Sequence, residues 1–319
     1  MWLLKLRRTL LLLLPAWVLA GCLSAPEEPL RLGTNVWPGY EPLYLAREQG
    51  DLSAGQVALV ELLSASEVMR AYRNGAIDAA ALTLDEVISL RAAGLRPVVV
   101  QVTNISAGAD VILVRQNVER MQDLRGKRVG VEATALGMYM LTRALALNGM
   151  TLEDVHIVHM EVNEHRNAWL SGQVDAVVTF EPVRRQLLDE GAVILFDSSM
   201  IPGEIVDLLV VRESLLESRQ EQIRHLITAW NRALERLEQS PEESARIMAA
   251  RLGGSEKDVL SSLQQLELPV RPLTQDDVSW LQRQAERLAL LMLEQGLLQQ
   301  MPDLNGLVYR GYSEHETDH

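Results

Sequence analysis

The stretch AYRNGAIDAAALT, residues 71–83, and the stretch AWLSGQVDAVVT, residues 168–179, follow one pattern. Gly75 matches Gly172 and Asp78 matches Asp175, each pair 97 positions apart. A Gly in that place ends a helix in the left-handed conformation, and the apolar run after the Asp suits a buried strand. The match extends outward in both directions. Gly33 in LRLGTNV corresponds to Gly130 in KRVGVEA, and helices ending in EQG at Gly50 and in LNG at Gly149 follow. Next come the strand-like runs VALVELL from Val57 and VHIVHME from Val155. Each unit reads strand, helix, strand, helix, Gly, strand, helix. That alternation calls for parallel sheets covered by helices, so the expected class is α/β with two similar lobes.

Beyond the second unit, IVDLLVVRES at residues 205–214 is one more strand, and helical periodicity then runs through about 214–239, 241–252, 256–266 and 274–295. Leu226, Trp230, Leu234 and Leu237 recur at helix spacing, which marks a core-facing stripe. ADVILVR at 109–115 and VDLLVVR at 206–212 are the natural crossovers between lobes. The expected division is lobe one at 30–110 plus 206–312, lobe two at 111–205, and a disordered tail at 313–319. With 319 residues, 48% of them hydrophobic, the chain is long enough to bury such a pair of cores.

The first residues read differently. Lys5, Arg7 and Arg8 precede the short apolar run TLLLLLPAWVLA, which ends in Leu19-Ala20-Gly21-Cys22. This resembles the lipobox of bacterial lipoproteins. It implies a signal peptide at 1–21, a lipid on Cys22, a tether at 22–29, and export, with Leu23 favouring the outer membrane. An ordinary signal peptide or an uncleaved anchor is the alternative. Cys22 is the single Cys, so an internal disulfide or Cys-based metal site is excluded. Loss of a leader with three basic and no acidic residues would take the formal charge from −13 to −16. Such a balance argues against nucleic acid or anionic lipid as partner.

GTNVWPGYEPLYLAREQG (33–50), NGAIDAAALTLDE (74–86), DLRGKRVGVEATALGMYML (123–141), SGQVDAVVTFEP (171–182) and VDLLVVR (206–212) together resemble the nitrate, sulfonate, taurine and thiamine-precursor binding subunits of ABC importers. The resemblance implies a two-lobed type II periplasmic-binding-protein fold with two crossover strands and a helical C-terminal part. It further implies a monomer without cofactor that closes on a small molecule by hinge motion and presents it to a permease. A ligand sensor feeding a membrane protein would use the same closure. Related folds include pyrimidine-forming synthases with pyridoxal phosphate, but after the leader only Lys127 and Lys257 remain as Schiff-base candidates, so catalysis is not expected.

In open α/β sheets ligands lie beyond the carboxyl ends of strands, against helix N-termini. The residues expected there are Trp37 and Tyr40, Ser64 and Ser66, Thr83 and Asp85, Asn104, Glu132 and Thr134, Glu181 and Asp207. Trp37 and Tyr40 flank a Pro-Gly turn that small polar residues would fill more cheaply, which suits an apolar wall for a ligand. Glu132, Asp85, Glu181 and Asp207 form an acid excess pointing to an amine or pyrimidine-like ligand. The alternatives are that the acids cap helices, the favoured reading for Asp85, or that Arg184 and Arg185 serve an anion. HIVHMEVNEH holds His156, His159, Glu161, Glu164 and His165, but a strand sends His156 and His159 to opposite faces, so no metal is assigned. His315 and His319 belong to the tail.

Overall fold

A computed structural model describes residues 28–132, 135–269 and 273–309. The expected leader, Cys22, most of the tether, the tail and Thr134 lie outside the described residues. Two mixed sheets organise the chain. The first has the order β11-β4-β10-β3-β1-β2, built from β1 (Leu30–Thr34), β2 (Val57–Glu61), β3 (Ala79–Thr83), β4 (Pro97–Ser106), β10 (Val206–Arg212) and β11 (Leu266–Glu267). The second has the order β7-β6-β8-β5-β9, from β5 (Val111–Val114), β6 (Arg128–Val131), β7 (His156–His159), β8 (Ala176–Thr179) and β9 (Val193–Asp197).

Counted inward from β2 and from β7, the two sheets repeat one topology. The first strand of each unit pairs in parallel with the next two. The fourth place is taken by an antiparallel strand, β10 in the first sheet and β5 in the second. β4 ends one lobe and leads into β5 of the other, and β9 leads back into β10. The fold is the two-lobed arrangement with two crossovers that the sequence pattern implies.

The repeated residues have repeated work. Arg31 donates to Asp78 Oδ2 from its backbone N at 3.0 Å and from Nε at 2.9 Å. Arg128 makes the same pair of bonds to Asp175, both 3.0 Å. Each Asp thus pins the strand that follows it to the edge of its parallel neighbour. Gly75 and Gly172 end their helices with φ of 73° and 72°, where any Cβ would be strained. At Gly33 a Cβ would come within 2.4 Å of Ile77 Cδ1, and at Gly130 within 3.2 Å of Val174 Cγ1. The strand centre is left bare so that the apolar residue before each Asp can pack across it.

Ten helices cover the sheets among the described residues. α1 (Glu41–Glu48), α2 (Ala65–Arg73) and α3 (Leu84–Ala92) belong to the first unit, and α4 (Ala135–Leu147), α5 (His165–Leu170) and α6 (Val183–Asp189) to the second. α7 (Gln220–Gln239), α8 (Pro241–Leu252), α9 (Glu256–Leu263) and α10 (Gln275–Glu294) follow. The stripe Leu226, Trp230, Leu234 and Leu237 is buried where α7 packs on α1. α10 packs on α3, and α3 packs on α4 across the junction of the lobes. One apolar cluster runs through both sheets, from Val68 and Leu82 to Ile112, Tyr139 and Val178. The helix expected over 256–266 stops at Leu263, because Leu266 and Glu267 pair with the edge of β4. No helix among the described residues is long and apolar enough to cross a membrane.

Candidate functional site

The carboxyl ends of β1, β3 and β8 and the start of β10 meet between the lobes. Asp207, near the start of β10, lies in register with Thr83 on one side and Asn104 on the other. After β1 the chain turns at once through a short 3-10 turn, Pro38–Tyr40, and this buries both aromatics. A Cβ on Gly39 would come within 2.2 Å of Asn104 Nδ2 and 2.4 Å of Trp37 Nε1. Only glycine lets the turn lie this flat against β4. Tyr40 donates its hydroxyl to Asp207 Oδ1 at 2.5 Å. Trp37 packs edge-on against Phe180 of the second lobe, 5.5 Å between centroids at 90°.

These residues surround a narrow cavity of about 30 Å³, room for one or two waters. Trp37, Tyr40, Thr83, Glu132 and Asp207 line it. The remaining expected residues stand elsewhere, for identifiable reasons. Ser64 is the N-cap of α2, accepting from Glu67 N at 3.2 Å. Ser66 donates to Glu132 Oε1 from its backbone N at 2.8 Å and from Oγ at 2.9 Å. Glu132 of the second lobe therefore rests on the positive end of α2 of the first, and Ser66 serves the junction of the lobes. Asn104 lies beneath Gly39 and donates to Thr103 Oγ1 at 3.2 Å. Asp85 is buried in the first turn of α3, off the cavity wall. Glu181 accepts from Arg184 Nη1 at 3.0 Å and is not among the residues that line the cavity.

Sequence reasoning did not single out Asn35, Glu86, Asp110, His165 and Thr179 as ligand contacts, and all five are on the wall. Two of them had a signal. TLDE at 83–86 has the spacing of a capping box, and Glu86 Oε2 accepts from Thr83 N at 3.0 Å. Asp110 opens the first crossover strand. His165 had none, since its place depends on how α5 packs on β8; its Nδ1 lies 3.1 Å from Thr179 Oγ1.

The wall carries Glu86, Asp110, Glu132 and Asp207 and neither Lys nor Arg. Burial pushes the Asp110 carboxyl up to about 6. Asp85 is pushed up to about 7, by burial above all and then by Asp110, against hydrogen bonds at the start of α3. Asp207 and Glu86 are raised further, burial again leading, with Asp110 and Asp85 adding to the one and Asp85 and Glu132 to the other. Burial takes His165 the other way, down to about 4, so its imidazole is neutral. Arg184 and Arg185 are on carboxylates rather than in the cavity: Arg184 on Glu181, Arg185 within 3.7 Å of Asp189 and 3.8 Å of Asp258. Among the described residues, no group of three or more His, Cys, Asp or Glu could hold a metal ion.

A family model described as NMT1-like matches residues 24–253. The chain belongs to that family. A binding protein of Brucella abortus (strain 2308) is 26% identical over 145 residues, 44% of this chain and 46% of that protein. The match thus spans about half the length of that relative. The alkanesulfonate-binding protein SsuA from Xanthomonas axonopodis pv. citri, bound to MOPS, superposes with a TM-score of 0.76 at 22% identity, over 89% of this chain and 99% of that one. The ligand-binding component of an ABC-type import system from Staphylococcus aureus, with zinc bound, gives 0.75 at 14% identity, over 91% and 99%. At these identities the two structures establish the fold.

Proposed function

We propose that the protein is the substrate-binding subunit of an ABC importer, holding a small amine or pyrimidine-like solute between its lobes. The single observation behind the ligand class is the wall itself, with four carboxylates and neither Lys nor Arg. An anion would find no Lys or Arg to pair with there, and the helix end that could attract one, at α2, already carries Glu132. Trp37, Tyr40 and Phe180 supply aromatic surface around the same space.

Capture and release work by hinge motion at the crossovers, because the present cavity is too small for an organic molecule. In this reading the protein is exported, held to a membrane by a lipid on Cys22, monomeric, and without a catalytic role. The lobe boundaries are those expected from the repeat. No Lys lines the cavity for Schiff-base chemistry.

A thermal-shift screen of the purified protein against amines, aminopyrimidines, sulfonates and amino acids tests this. A ligand at a hundred times its dissociation constant stabilises by about 2.7 kcal/mol. Hits confined to amines or aminopyrimidines are expected. A hit confined to sulfonates would return the ligand to the class that SsuA binds, and no hit at all would favour a protein partner and the sensor reading.

A further inference from the structure

The cavity is chemically two-sided. On the side of the first lobe and its crossovers are Tyr40, Glu86, Asp110 and Asp207. Across from them the second lobe contributes Leu136, Met140, Val178 and Phe180. Glu132 also comes from the second lobe, but its Oε1 is committed to Ser66. On the acid side Glu86 Oε1, Asp110 Oδ2 and Asp207 Oδ2 are buried without hydrogen-bond partners. Two groups that are not acids line the same space: the Trp37 indole N–H, a donor, and His165 Nε2, on side chains 4% and 0% exposed, also lack partners. In the tautomer where His165 Nδ1 donates to Thr179, Nε2 is an acceptor.

The neighbouring elements bring no counter-charge. α3 adds Asp85, the turn after β8 adds Glu181 already paired with Arg184, and Arg143 and Arg251 are engaged by Glu204 and Glu41. Several ionised carboxylates cannot stay buried side by side without a cation, so the unliganded set keeps protons.

Resting on the importer reading, we propose that the solute is an amphipathic organic cation whose nitrogen head enters the Tyr40–Asp207–Asp110–Glu86 side, whose apolar body lies on Leu136, Met140, Val178 and Phe180, and whose charge displaces protons held by those acids. Each displaced proton leaves to solvent as one carboxyl becomes a carboxylate, so the site's net charge is conserved. A neutral aminopyrimidine would satisfy the acceptors without this exchange.

Calorimetry of the purified protein with benzylammonium, a neutral aminopyrimidine and methanesulfonate, each in phosphate and in Tris at one pH, counts protons released. Benzylammonium is expected to bind with release of on the order of one proton, so below neutrality its affinity should rise with pH, by up to about tenfold per unit. Asp110→Asn is expected to lower the release. Benzylammonium binding without release, or aminopyrimidine binding alone, overturns the proton exchange while leaving the importer reading standing. Methanesulfonate binding alone overturns the proton exchange and the amine or pyrimidine ligand class together, and makes the solute an anion. The ligand-free protein gives an independent check by 13C carboxyl NMR: ordinary carboxylate titration at both Asp110 and Asp207 overturns the inference whatever the probes do.

Discussion

The two lobes share strand order, the Arg–Asp pin, the helix-ending glycine and the bare strand centre, yet their strand ends differ. In the first lobe the end of β1 runs into a buried Trp-Pro-Gly-Tyr turn, and β10 brings Asp207. In the second, the end of β6 runs into Glu132, which reaches across to the other lobe. Residues inside the sheets answer to packing, which is the same problem twice. Residues at the strand ends answer to whatever lies between the lobes, and there each lobe has one half of the problem.

The strongest way to break the comparison is through the feature that only the first lobe has, its C-terminal helical cover. Trp230, on the inner face of α7, is fully buried. Trp230→Ala is expected to cost about 3–5 kcal/mol. Because one apolar cluster spans both sheets, denaturant should still unfold the chain in one transition, shifted as a whole. Two separated transitions would show lobes that fold independently.

Next in size are the acids of the cleft. Asp207→Asn should lower affinity for a cationic ligand by more than about tenfold, the scale of a lost charge-assisted bond. Glu181→Gln should leave affinity unchanged, since that carboxylate already serves Arg184. Glu132→Gln should weaken the junction of the lobes, seen as a larger radius of gyration in solution scattering and a loss of affinity of about fivefold. Equal effects of the Asp207 and Glu181 variants would remove the distinction between cleft acid and structural acid.

Most of the architecture was legible because a period of 97 residues leaves its marks in glycines and aspartates, whose roles are local. The site was legible by segment and not by residue. The stretches around Asn104 and Glu181 were the right ones, but within them Asp110 and Thr179 line the wall while Asn104 and Glu181 bond within their own lobes. That choice depends on a register or a first-turn rotation of about 100° per residue, which sequence pattern does not fix. His165 was weighed only as a metal ligand, and its burial comes from the packing of α5, a tertiary fact.

The pH dependence of stability sharpens the comparison further. Asp110 and Asp85 are held at about 6 and about 7 against 3.8, and Glu41, buried beside Arg251, at about 7 against 4.5. Their contribution is fully present below pH 4 and lost as pH rises through 6 and 7. His165, at about 4 against 6.5, contributes stability present above 6.5 and lost as pH falls through 4. The acids outnumber it, so the melting temperature without ligand should fall from pH 4.5 to 7.5. Asp110→Asn should flatten that fall and His165→Gln should steepen it. A flat profile in the unaltered protein would mean the lobes lie further apart in solution and the acids are hydrated.

The smallest effects test equivalence most directly. Arg31 and Arg128 have side chains 44% and 46% exposed, and their partners Asp78 and Asp175 are 18% and 29% exposed. Exposed pairs of this kind contribute about 0.2–1 kcal/mol. Arg31→Ala and Arg128→Ala should therefore each cost little, and by the same amount within error. Both aspartates are held below their ordinary value, by the Arg side chain and backbone against burial at Asp78, and by the Arg128 hydrogen bond first at Asp175. The lost stability should accordingly be present at neutral pH and vanish as pH falls below about 4 in both variants. Unequal costs would show that the two pins differ in what they hold. Arg31 also donates from Nη2 to Gly75 O at 3.2 Å, so any excess should appear in the first lobe, and Arg31→Lys, which keeps the charge but loses the fork, should reveal the same excess.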